Sequence, residues 1–96
     1  MILDEFLESI EAATPPDSLS GPLQALWFDR KGEWDRAHQI VQAIGSAEAS
    51  WVHAYLHRKE GDLWNARYWY VRAGHPESKI DLDAEWREIV AALIGQ

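Results

Sequence analysis

Cysteine is absent from the 96-residue chain, so a disulfide framework, a thiolate nucleophile and a cysteine-based zinc site are all excluded. Long apolar runs are lacking as well, and nothing approaches the roughly 18 residues that a membrane span needs. The first five residues, Met1-Ile-Leu-Asp-Glu, are acidic where a secretory leader would be basic, so a soluble cytoplasmic protein is expected. Basic residues are few, 9 against 16 acidic ones for a formal charge of −7. A chain of that balance offers little cationic surface for phosphate contacts, which argues against nucleic acid as the main partner. No glycine-rich phosphate loop is found, and the serines fall at expected caps or loops rather than at a strand-to-helix elbow. Enzymatic activity is therefore unmotivated, and no cofactor is implied.

What is present is helical spacing, without the alternation of half-buried strands. Leu3, Phe6, Leu7 and Ile10 mark one buried stripe and predict a first helix over 2–13, ended by Thr14-Pro15-Pro16 because proline supplies no amide donor. Ser20-Gly21-Pro22 reads as a capped second start, and Leu23, Leu26 and Trp27 carry that helix to Gly32. A third helix is expected over 33–44, with Trp34, Ala37, His38 and Val41 on one stripe. Ser46 caps a fourth over 47–60 and Asp62 a fifth over 63–73, stopped by Gly74-His75-Pro76. The sixth starts near Asp81 or Asp83, buries Trp86, Ile89, Val90 and Leu93, and ends at Gly95. About six helices with short connections make a single all-α domain.

The central four helices repeat. An offset of 29 residues lays Ala25–Gly32 on Ala54–Gly61 and Ala37 on Ala66, so each copy is a helix ending in glycine followed by a second helix with alanine five positions on. Gly61-Asp62-x-x-x-Ala66-x-x-Trp69-Tyr70-x-x-Ala73 resembles the second half of a tetratricopeptide repeat, and Gly32 with Ala37 is a shorter copy. The resemblance covers about residues 22–76. It implies an α-α superhelix of two hairpins, 22–45 and 47–76, with capping helices at both ends, of the kind that binds other proteins through a concave face. The period is shorter than the family's usual 34 or so residues, and histidines stand where the family's register places large apolar residues.

Those histidines form the first candidate site. On a helical wheel Trp51, Val52, Tyr55 and Leu56 make one apolar arc with His53 and His57 nearly opposite, so the fourth helix is expected to be contacted on both sides, its imidazoles facing a crevice. His53 and His57 lie one turn apart, and Glu60 follows at the next turn; together they could supply three metal ligands with an open position. Solvated or core-bonded histidines are the preferred reading of the pair. His38, inside an apolar stripe, is read as a satisfied core histidine in preference to part of a site between hairpins that its repeat counterpart, Arg67, would share.

The second candidate site is aromatic and cationic. The first 20 residues carry five acids and no base, while residues 46–76 carry four bases against three acids, so an anionic ligand would bind in the middle of the chain. The fifth helix shows two apolar stripes, Leu63, Ala66, Tyr70 and Ala73 on one side and Trp64, Tyr68 and Val71 on another. Sandwiching between neighbours is the favoured account, with Trp69 near the rim. Arg58, Arg67 and Arg72 beside Trp64, Tyr68 and Trp69 would suit a protein or an acidic peptide in a crevice around the fourth and fifth helices. The expectation is thus a non-enzymatic scaffold, with a small metal- or anion-binding protein as the alternative and self-association through aromatic surface as a further outcome.

Overall fold

A computed structural model describes residues 1–95. Six helices follow one another, α1 (Leu3–Ser9), α2 (Gly21–Arg30), α3 (Trp34–Gln42), α4 (Ala47–Lys59), α5 (Leu63–Ala73) and α6 (Leu82–Ile94), and no strand occurs among the described residues. The caps read from the sequence are made. Ser46 Oγ accepts from Ala49 N at 3.1 Å, Asp62 Oδ1 from Asn65 N at 3.2 Å and Asp81 Oδ1 from Ala84 N at 2.8 Å, each satisfying an amide with no intrahelical partner.

α1 stops at Ser9, short of the expected 2–13. Beyond it the amides of Ile10, Glu11 and Ala12 bond three residues back instead of four. The carbonyls a continuing helix would use are taken from outside: Trp27 Nε1 donates to Ser9 O at 3.2 Å, and Lys31 Nζ donates to Ile10 O and Ala12 O at 2.8 and 3.1 Å.

α2 packs on α3 and α4 on α5, and the turns inside these two hairpins share one geometry. Gly32 and Gly61 both sit at φ +87°, a left-handed conformation that costs other residues about 1–2 kcal/mol. In each turn the next amide reaches back over the glycine, Glu33 N to Phe28 O and Asp62 N to His57 O, both at 2.9 Å. Ala37 and Ala66 are both buried. The hairpins meet through α3 and α2 on α4, and α6 closes the stack against α1, α2 and α4. Phe6, Leu26, Trp27, Leu56 and Trp86 are fully buried in the resulting core, and Trp86 Nε1 donates to Leu26 O at 3.1 Å.

Two buried carboxylates tie the helices together. Glu85 of α6 is 0% exposed, accepts from Arg58 Nη1 at 2.8 Å and from the Tyr70 hydroxyl at 2.5 Å, and so links α6 to α4 and α5. The other Arg58 amino group donates to the Ile80 carbonyl. Asp29 of α2 accepts from Lys59 Nζ at 2.9 Å and from the Tyr55 hydroxyl at 3.2 Å. Burial raises both phenol pKa values, and the adjoining carboxylates raise them further.

α5 is not sandwiched. Its buried stripe is Ala66, Tyr70 and Ala73, and α4 is the helix it packs on. Trp64 is 81% and Val71 80% exposed, with Tyr68 exposed between them. The chain leaves α5 through residues 74–81 and places α6 against α1, α2 and α4, so among the described residues no further helix covers this face. Trp34, which fitted a core stripe, is half-buried at the seam between hairpins.

Removing Arg58 should be costly because it leaves the Glu85 charge buried with only a phenol for company. Arg58→Ala is expected to lower unfolding stability by about 3–5 kcal/mol, whereas Arg87→Ala, which breaks an exposed pair with Asp83, should shift the urea midpoint little. Equal midpoints for the two variants would rule out this role for Glu85.

Candidate metal centre

Residues Ala49 to His57 of α4 are buried without interruption, which means that the helix is contacted on both faces as its wheel demands. On the face opposite the apolar arc, His53 and His57 follow one another at a turn's spacing and their rings lie nearly parallel, centroids 4.9 Å apart. α3 crosses this face and sets His38 against both. His38 Nε2 approaches His53 Nε2 to 3.0 Å, and the His38 ring meets the His57 ring at 5.1 Å, 76° between planes. One nitrogen from each of the three imidazoles lies within 4.8 Å of the other two.

Two indoles wall the cluster. Trp69 of α5 stacks on His53 at 3.8 Å between centroids, and Trp34 of α3 stacks on His38 at 5.0 Å. Trp34 also donates Nε1 to Leu56 O at 2.9 Å, which fixes α3 against α4. His53 and His57 are buried, while His38, Trp34 and Trp69 are half-buried and form the edge through which the site meets solvent.

The third member of the constellation differs from the one read from the sequence. His38 joins His53 and His57, whereas Glu60 is outside that trio and bonds Nδ1 of His57 at 2.7 Å. His57, Glu60 and Asp62 make a second gathering of donor atoms, but Asp62 already accepts from Asn65 N and, at 2.7 Å, from Asn65 Nδ2. Committed to capping α5, it is the poorer ligand, and the imidazole trio is the better candidate. The signal for His38 was a polar ring inside the Trp34–Ala37–Val41 stripe. What the sequence does not carry is the crossing of α3 over α4 that points this ring at the other two.

One buried nitrogen of the trio lacks a partner. A neutral imidazole carries one N–H, so in the 3.0 Å contact one Nε2 donates and the other accepts. If His38 donates, the His53 proton sits on Nδ1; if His53 donates, its Nδ1 is a bare acceptor. In both arrangements His53 Nδ1 is buried with no hydrogen-bond partner, a deficit of about 1–3 kcal/mol. Protonation offers no relief. Burial first, then the neighbouring imidazoles of His38 and His57, pushes the His53 pKa down to about 4. Burial and His57 also lower that of His38, against weaker upward pulls from Glu60 and Asp35. Neutral, convergent ring nitrogens are the state in which histidine binds a metal.

The residues expected to hold a partner are dispersed. Arg58 is committed to Glu85 and Ile80 on the α6 side, Arg67 pairs with Glu77 at 3.1 Å, and Trp69 covers His53. Trp64, Tyr68 and Arg72 share the outer face of α5, Arg72 lying 5.8 Å from the Tyr68 ring centre. A cleft of about 540 Å³ opens elsewhere, between Ser20, Pro22, Leu23, Ser46, Glu48 and Leu93; Ser20 and Ser46 there are occupied as caps.

No protein-family model, curated protein or solved structure matches the chain.

A histidine with a depressed folded-state pKa stabilises the fold fully above its unfolded value of about 6.5 and loses that contribution as pH falls toward about 4. The metal-free protein is therefore expected to lose stability between those limits, by at most about 1.4 kcal/mol per pH unit for each proton taken up. His53→Phe, which keeps a ring against Trp69, should flatten the curve of urea midpoint against pH in that window. A slope unchanged by the substitution contradicts the assignment.

Proposed function

We propose that the protein binds one divalent transition-metal ion, of the zinc, cobalt, nickel or copper class, through His38, His53 and His57. The observation that carries this reading is the convergence of three ring nitrogens within 4.8 Å of one another. Ligands held at about 2.0–2.1 Å around a tetrahedral ion lie about 3.3 Å apart, so the His38–His53 pair, at 3.0 Å, is already close to ligating distance. An all-nitrogen donor set with no thiolate and no carboxylate suits these ions and not magnesium or calcium. With His57 ligating through Nε2, Glu60 on its Nδ1 would be the carboxylate that holds the outer nitrogen, sets the tautomer and raises the basicity of the ring. Three protein ligands leave a tetrahedral ion one position for water or a small exogenous ligand.

A second reading, a scaffold that docks a protein or acidic peptide, is favoured by the exposure of Trp64 and Val71 on α5. The resemblance to tetratricopeptide hairpins belongs with that reading.

Titration of metal-free protein with Zn(II), Ni(II) and Co(II) should give one site per chain. At a hundredfold excess over the dissociation constant the fold should gain about 2.7 kcal/mol. His38→Ala, at the half-buried edge of the site, is expected to abolish that gain. Glu60→Gln should weaken binding about 10–100-fold while retaining a single site. Binding indifferent to His38→Ala, or no shift in the unfolding midpoint with any of these metals, refutes the proposal.

A further inference from the structure

Apart from Leu63 and Ile80, the large apolar side chains that the described surface exposes fall into two patches of opposite charge. One is the tip of α1, where Met1 and Ile2 stand beside the exposed carboxylates of Asp4, Glu5 and Glu8 and the helix carries no basic residue in its last turn. The other is the outer face of α5, with Trp64, Tyr68 and Val71 on a helix that contains two arginines and no acid. Arg72 there is exposed, lies over the Tyr68 and Trp69 rings, and has no carboxylate within 4.0 Å among the described residues. Surfaces of this kind, aromatic and arginine-bearing, supply the dominant anchors of protein interfaces.

We propose that two copies of the chain pair by docking the acidic, apolar tip of α1 from one copy on the α5 face of the other. α1 and α5 share no packing contact within the chain, so the match is made between molecules. A two-fold arrangement makes it twice and closes the dimer, because each copy brings both halves of the contact. Trp64 is the apolar anchor, Ile2 its counterpart, and Arg72 faces Asp4, Glu5 and Glu8. This interface does not involve the imidazole cluster beyond the shared neighbour Trp69, and it stands or falls separately from metal binding.

Sedimentation of the full chain from roughly 10 µM to 1 mM tests it. The mean mass should rise toward that of two chains with concentration. Trp64→Ala should weaken association about tenfold or more. Arg72→Glu alone, and the combined Asp4→Lys, Glu5→Lys and Glu8→Lys variant alone, should each remain single chains, and mixing the two should restore pairing, since both contacts are then complementary. These positions are exposed, and helical circular dichroism confirms that each variant is folded. A constant single-chain mass for the wild type, association unaffected by Trp64→Ala and Arg72→Glu, or failure of the mixture to pair would overturn the proposal.

Discussion

The hydrogen bond from the Trp34 indole to the Leu56 carbonyl, 2.9 Å long, holds the first hairpin against the second at a particular register, and the cluster of imidazoles depends on that register. The amide of Glu60, the residue that follows α4, bonds the same carbonyl at 3.2 Å, so Leu56 O serves two donors at the point where the helix ends. With its N–H fixed there, the indole plane is set. It stacks on His38 at 8° and meets the His57 ring edge-on at 6.0 Å. A slip of α3 by one residue would rotate His38 by about 100° around its helix and remove it from the trio.

The two kinds of buried polar group in this fold are handled differently. Asp29 and Glu85 each sit between a cation and a tyrosine hydroxyl, so their charge is compensated and their oxygens are bonded. Such sites tie helices together and leave no carboxylate oxygen without a partner. The imidazoles are arranged otherwise, with three bases gathered against each other and one nitrogen orphaned. Packing alone gives no reason to crowd them, since aliphatic residues of similar volume would fill the space without unsatisfied atoms. That contrast separates the structural polar interior from the candidate site.

Much of this was legible in the sequence because the signals are local. Ser46, Asp62 and Asp81 cap the helices they precede, and the glycines 29 residues apart mark two turns of one geometry. The early stop of α1 was not legible, since the groups that compete for its carbonyls, Trp27 and Lys31, lie on another helix. The exposed stripe of α5 was missed for the same kind of reason: two apolar stripes on one helix say that both need covering, not which element covers them. At the candidate site, His53 and His57 were readable from their spacing, and their double-sided contact from the wheel. Proximity in sequence points to Glu60 as the third member, whereas the crossing of α3 brings His38 beside the pair and Glu60 bonds His57 Nδ1 from outside that trio.

Arg58 and Lys59 are adjacent at the end of α4, yet they reach in different directions, one to Glu85 of α6 and the other to Asp29 of α2. Turning α4 about its axis either way lengthens one of these links, and the Tyr55 hydroxyl adds a second tether on the Asp29 side. The helix carrying two of the three imidazoles is thus guyed like a mast. Whatever small ligand enters beside it meets rings whose aim was settled before it arrived.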